Sequence, residues 1–327
     1  MNRREIIKLG VSAAAVSAVA PMTALSQSNY PTRPIRLVVP FSAGGVVDTI
    51  GRLWADGVSK DLGTVVVENL GGAGGTIGAG EAARAEPNGY TVLLGNTSTQ
   101  ILNPVIMANA PYDPDKDFQT VSIVALSTVC IAVSAKVPAK SLKELVAYVK
   151  ANPGKVSYGS PGTGTFTHLA GEMFKHITGI TDFTHVPYKG AGPGINDLIS
   201  GHIPAMALNV TRPLVALHKS GKIRILAVLA DKPLDVLPDV PTGTDTVPGL
   251  VAQLFTGVFV PTKTPSEVVE RLGSANAKAV ANEGLRTKLE ASGLEVVTMG
   301  PAESQKFVDA ERTRLLPLVK EIGFKIG

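Results

Sequence analysis

Pro40-Phe41-Ser42-Ala43-Gly44-Gly45-Val46-Val47-Asp48 follows directly on Ile35-Arg36-Leu37-Val38-Val39, which is apolar at four of its positions. A short apolar run bounded by a turn signal reads as a buried strand. Beyond the loop, Ile50, Leu53, Trp54, Val58 and Leu62 recur at helical spacing, and Gly63 supplies the usual helix stop. The stretch is therefore a strand, a glycine loop and a helix. The small residues of the loop leave backbone N–H groups bare at the positive end of the helix dipole.

Working outward, the same pattern recurs. A strand over residues 64–67 leads into Gly71-Gly72-Ala73-Gly74-Gly75, a small helix over 79–85, the turn Pro87-Asn88-Gly89 and a third strand over 91–94. A second copy begins with a strand over 156–158 and the loop Gly159-Ser160-Pro161-Gly162-Thr163-Gly164-Thr165. Its helix carries Leu169, Met173, Phe174 and Ile177, and a strand over 183–186 comes next. Tyr188-Lys189-Gly190-Ala191-Gly192-Pro193 then precedes a helix over 195–199 and a strand over 203–208. Strands alternating with helices predict a parallel α/β sheet, with ligands outside the C-terminal strand ends. Two such copies predict two lobes presenting their loops to one cleft.

The chain has 327 residues, more than one typical core, in keeping with two lobes. Its start, Asn2-Arg3-Arg4 followed by an apolar Ala-rich stretch and small residues at Ala24-Leu25-Ser26, reads as an export signal over residues 1–26. The paired arginines fit a twin-arginine signal and the length fits general secretion; both routes stay open. Either one sends the mature protein to the periplasm. The chain has 31 basic against 27 acidic residues, a net charge of +4; three of the bases and one of the acids lie in the signal, and the remaining +2 argues against a nucleic-acid partner. The single Cys130 sits in an apolar run and is read as core.

Other chemistries find little footing. Gly78-Ala79-Gly80-Glu81-Ala82-Ala83 matches a loose dinucleotide fingerprint, but the stretch from Gly71 to Ile77 separates it from the strand end, so a Rossmann oxidoreductase is a distant alternative. There is no G-x-S-x-G elbow, no H-E-x-x-H and no paired cysteine. Asp113, Asp115 and Asp117 alternate with Pro114 and Lys116 as in a turn. The expectation is a binding protein with no cofactor, no metal and no catalytic residue.

The Pro40–Asp48 stretch strongly resembles the Bug family, the TctC-type periplasmic solute-binding proteins of tripartite tricarboxylate transporters. The likeness continues through Val66-Val67-Glu68-Asn69, Pro87-Asn88-Gly89-Tyr90-Thr91, Ala151-Asn152-Pro153-Gly154-Lys155, His168-Leu169-Ala170-Gly171-Glu172, His185-Val186-Pro187-Tyr188-Lys189-Gly190 and Leu237-Pro238-Asp239-Val240-Pro241-Thr242. The resemblance implies a type II periplasmic-binding-protein fold, with lobe I at residues 29–130 plus 256–327, lobe II at 131–255, and inter-lobe crossings near 128–133 and 253–259. It further implies a monomer that captures a small organic carboxylate and hands it to a membrane permease. A receptor that signals to a sensor kinase is the alternative.

Carried onto this sequence, the resemblance places one carboxylate at Phe41, Ser42, Ala43, Gly44 and Gly45, partly through water, with Asp48 expected to hold water or cap the helix rather than touch the carboxylate, or to be a plain N-terminal helix charge. Facing it, Ser160, Thr163, Gly164 and Thr165 offer hydroxyls and amides before the second copy's first helix. Thr97, within Asn96-Thr97-Ser98-Thr99, is read either as another hydroxyl for the ligand or as a helix cap. Asn209 closes the strand at Ala207-Leu208-Asn209. Behind these, His168 and Tyr188 are expected to support the loops, and Arg212 either pairs with a second carboxylate or stays solvated.

Overall fold

The computed structural model describes residues 30–326; the export signal expected over residues 1–26 lies outside them. The chain runs β1 (Ile35–Val39), α1 (Val46–Leu62), β2 (Val65–Asn69), a 3-10 turn (Ala73–Gly75), α2 (Thr76–Ala83), β3 (Thr91–Asn96), a π turn (Ser98–Leu102), α3 (Asn103–Ile106), α4 (Pro114–Asp117) and β4 (Phe118–Ser134). Then come α5 (Leu142–Ala151), β5 (Ser157–Ser160), α6 (Phe166–Thr178), β6 (Thr184–Pro187), α7 (Ala191–Ser200), β7 (Ala205–Asn209), α8 (Arg212–Lys219) and β8 (Ile223–Val228). Last are β9 (Gln253–Pro261), α9 (Ser266–Ala281), α10 (Glu283–Glu290), β10 (Leu294–Val296) and α11 (Pro301–Ile322).

The strands fall into two groups that share β4. In the first, the order is β2-β1-β3-β9-β4: β1 is parallel to β2 and β3, and β9 is antiparallel to β3 and β4. In the second, β5 lies parallel between β6 and β7, and β7 and β8 pair with β4. The handover is abrupt. Thr128 is the last β4 residue paired with β9, and Val129 the first paired with β7. β4 is buried along nearly its whole length because it is covered on both faces, and its apolar residues are interrupted by Ser122, Ser127 and Thr128. Cys130 lies within it, fully buried, and burial pushes its thiol up to about 12, so it stays a protonated apolar filler.

α1 explains how the first group is fastened. Val47, Ile50, Trp54, Val58 and Leu62 form its buried stripe. The buried Trp54 indole donates to Asn276 Oδ1 of α9 at 2.9 Å, and Asn276 Nδ2 donates to Ser122 Oγ of β4 at 2.6 Å. Three elements are thus joined by one chain of satisfied polar groups.

Several element ends differ from the sequence reading. β2 extends to Asn69 because its register carries through Val39↔Asn69. β5 extends to Ser160, placed in a loop by the sequence, because Ser160 pairs with Pro187 and its carbonyl accepts the Tyr188 N–H at 2.9 Å. α7 starts at Ala191, not near 195: Pro193 falls within the first turn, where its missing N–H costs nothing. α2 starts earlier than expected, at Thr76, because Gly75 adopts φ 97° and turns the chain straight into it. No helix among the described residues is long and apolar enough to cross a membrane.

Candidate ligand-binding site

A cavity of about 610 Å³ lies between the two strand groups. Its walls are the loops at the C-terminal ends of the parallel strands: after β1 (Phe41, Ser42, Gly45), β2 (Gly71 to Gly75), β5 (Pro161 to Thr165) and β6 (Tyr188 to Ala191). Each loop feeds a helix, so the N-termini of α1, α2, α6 and α7 face the same space. No acceptor among the described residues takes the N–H of Val46, Val47, Thr167 or Ala191, all of which line it. Among the described residues, Lys189 is the one charged residue of the lining, and no carboxylate lines the cavity. Four helix dipoles and free amides therefore set its potential positive without a buried cation. Phe41, Phe166, Tyr188 and Leu254 make much of the remaining wall apolar.

The cavity is closed by contacts between the groups. The Phe166 N–H donates to Ser98 Oγ at 2.9 Å. Gly74 approaches Thr163 so nearly that a Cβ on Gly74 would lie 3.0 Å from the Thr163 carbonyl oxygen, and one on Gly190 would lie 3.4 Å from Ser42 Cβ.

Of the residues expected from sequence, Phe41, Ser42, Gly45, Thr163, Thr165, Asn209 and Tyr188 line the cavity, while Ala43 and Gly44 turn away from it. Asp48 does not line it. Its side chain, 4% exposed, accepts the Gly44 N–H at 2.9 Å, Asn69 Nδ2 at 3.0 Å and Arg52 Nε at 3.0 Å. Asn69 Nδ2 also donates to the Phe41 carbonyl at 3.0 Å, so Asp48 and Asn69 hold both ends of the loop. Burial raises the Asp48 pKa, but the bonds from Arg52, Gly44 and Asn69 outweigh it, and the carboxyl is held below its ordinary value.

Three further expectations, for Thr97, Ser160 and Gly164, are corrected, and Arg212 takes the solvated of its two readings. Thr97 is fully buried and its hydroxyl accepts the Phe255 N–H at 3.0 Å, fastening the end of β3 to β9; Ser98, its neighbour, faces the cavity instead. Ser160 is fully buried with its hydroxyl 2.7 Å from His185 Nε2, because membership of β5 turns the side chain inward. Gly164, at φ 78°, donates its N–H to His168 Nδ1 at 3.3 Å instead of facing the cavity. Arg212 is exposed as the first residue of α8 and lies outside the lining.

His168 and His185 stack behind the Ser160–Thr165 loop, and each holds a different part of it. Desolvation, with the like charge of the other imidazole and Lys175, lowers His168 to about 3. Desolvation lowers His185 to about 4. Tyr188 faces the cavity with its ring, while its hydroxyl donates to Asp197 Oδ2 at 2.9 Å; burial and that carboxylate push it up to about 12.

The sequence reading named the Gly71–Gly75 and Lys189–Ala191 loops but not as site residues. The signal was present, since both obey the strand-end rule that picked out Ser42 and Thr163. Leu254 carried no such signal, because β9 reaches the cavity only through its place between β3 and β4.

Residues 50–324 match the family model described as Tripartite tricarboxylate transporter family receptor. The chain is 32% identical to Protein BugT of Bordetella pertussis over 331 residues, covering 100% of both. Among solved structures it is similar to a periplasmic transporter at 40% identity (TM-score 0.86, 90% of this chain and 99% of that one). It is also similar to R. palustris Rpa4515 with adipate, at 32% identity (TM-score 0.86, 90% of this chain and 98% of that one). MatC of Rhodopseudomonas palustris with bound malate follows at 30% (TM-score 0.84, 89% of this chain and 100% of that one).

Proposed function

The chain belongs to the tripartite tricarboxylate transporter receptor family, periplasmic solute-binding proteins, and on that premise we propose that it captures a small organic carboxylate for delivery to a membrane permease. The observation that carries this reading is the convergence of four helix N-termini, three of them with unpartnered amides, on a cavity that no carboxylate side chain among the described residues lines. Such a site favours an anion by the helix dipole and by charge-assisted bonds from backbone N–H groups. A carboxylate could accept from the α1 amides on one side and the α6 or α7 amides on the other. Adipate and malate, bound by the two R. palustris relatives, are acids of the size this cavity can hold.

On this reading the first strand group belongs to lobe I and the second to lobe II, with one crossing at Thr128–Val129 in β4 and the other ahead of β9. Each lobe contributes part of the amide set, so ligand binding favours the closed arrangement and opening releases it. The closed form is then the one the permease recognises.

The reading is tested by thermal-shift measurement of the mature protein against a panel of mono- and dicarboxylates and their amides, since a ligand of the folded state alone raises its stability by mass action. Acids should bind at least about tenfold more tightly than the matching amides, which lose charge-assisted bonds. Equal shifts for acid and amide would remove the anion from the proposal.

A further inference from the structure

We propose that the segment after α11, Phe324 to Ile326, is a positioning element for the cavity loop that carries Thr163 and Thr165. It reaches that loop from the opposite strand group: α11 packs on β4 beside β9, whereas the loop joins β5 to α6. Two contacts make the connection. Phe324, 6% exposed, sets its ring edge-on against His168, with centroids 4.7 Å apart and planes at 75°. His168 is the acceptor for the Gly164 N–H, so the ring that Phe324 braces is the one that holds the loop. Ile326 meets the same loop directly: a Cβ on Gly164 would lie 2.8 Å from Ile326 Cδ1.

The segment is itself anchored. The Ile326 N–H donates to the Ile106 carbonyl at 2.8 Å, and Met107 and Ile326 form a parallel bridge. Met107 Cε would lie 3.2 Å from the same Gly164 Cβ, so the bridge and the loop pack as one layer. A side chain at position 164 has no room, and φ 78° disfavours one in any case. The loop therefore keeps its shape through what lies behind it. Among the described residues of the first strand group, Phe324 alone makes a ring contact with His168. Phe324 and Ile326 thus act on the ligand through His168 and Gly164, without lining the cavity.

The inference rests on the reading of this cavity as the ligand site, and it is tested without ligand so that the two can fail separately. Amide hydrogen exchange is followed in the full chain and in Phe324→Ala. The peptide over residues 160–168 should exchange at least about tenfold faster in the variant, while β4 is unchanged within about twofold, because local opening is distinct from global unfolding. Phe324→Leu, which returns most of the apolar bulk against His168, should restore most of the protection. If Phe324→Ala does not fold, Ile326→Ala, at a half-buried position, is read in the same way. Unchanged exchange over 160–168 overturns the proposal. So does a uniform rise across β4 and the loop alike, which would make the segment ordinary core.

Discussion

His168 and His185 lie ring over ring, their centroids 3.6 Å apart and their planes 13° from parallel. Two imidazoles at that distance cannot both be charged without strong repulsion, and burial disfavours either charge alone. The loop that bears Thr163 and Thr165 is therefore held by a neutral pair.

That neutrality makes stability depend on pH. The folded values, about 3 for His168 and about 4 for His185, lie below the ordinary 6.5, so the unfolded chain binds more protons on acidification. The contribution is complete above pH 6.5 and is lost as pH falls toward 4. Each imidazole adds a slope of about 1.4 kcal/mol per pH unit once its unfolded form is protonated. His218 is lowered too, chiefly by burial, and adds in the same direction. Urea unfolding at pH 7.5, 6.5 and 5.5 should show the decline, and His168→Asn should flatten it; a slope unchanged in the variant would mean that the pair does not titrate on unfolding.

Asp48→Ala removes the acceptor of Gly44, Asn69 and Arg52 together. Leaving these donors unpaired should cost about 1–3 kcal/mol of folding stability. Affinity for the best acid of the panel should weaken as well, because the loop loses its anchor although Asp48 does not line the cavity. Asp48→Asn keeps an acceptor and should lose less in both measurements. Calorimetric Tm and titration separate the two effects.

Gly44 and Gly45 should respond oppositely. Gly44 sits at φ 81° with nothing within 4 Å of its would-be Cβ, so Gly44→Ala carries only the backbone penalty of about 1 kcal/mol. Gly45, at φ −81°, accepts a side chain without strain, and its Cβ would meet only the Ser42 carbonyl at 3.5 Å. Gly45→Val should therefore fold normally and fail to bind, since the added bulk stands beside the α1 amides. Normal binding by a well-folded Gly45→Val would move the anion elsewhere in the cavity.

Asn276→Leu is the control far from the cavity. It orphans the Trp54 indole N–H, at about 1–3 kcal/mol for a buried group left unpaired, and removes the donor to Ser122 Oγ, whose hydroxyl keeps its bond to the Met299 carbonyl. Affinity for the best acid should not change when measured well below the lowered Tm.

Much of the fold was legible because β1, its glycine loop and α1 are locally consistent: Leu37 and Val38 are apolar strand residues, and Trp54 falls on the helix stripe. What pairing decides was not legible. The place of Ser160 in β5 depends on its bond to Tyr188, and the burial of Thr97 depends on Phe255, 158 residues away in sequence. Asp48 shows the same limit within the site. Its position in the motif was plain, but whether it faced the cavity or the loop depended on Asn69 and Arg52 converging on it. Glycine loops advertise themselves by composition; hydroxyls and carboxylates declare their role only once neighbours are in place.

β9 lies between β3 and β4, with Leu93 opposite Phe259 and Leu126 opposite Phe255. The nascent chain therefore releases two strands that cannot pair with each other, and must wait for more than a hundred further residues before the strand between them emerges. Strands β5 to β8, contiguous in the interval, can assemble meanwhile. Until residue 261 is out, β3 and the first half of β4 present bare edges, the kind of surface that recruits other chains. High sequence separation also makes this last insertion slow. The strand that joins β3 to β4 also brings Leu254 to the cavity wall, so the polypeptide closes the gap in its sheet and acquires its capacity to hold a solute in the same step.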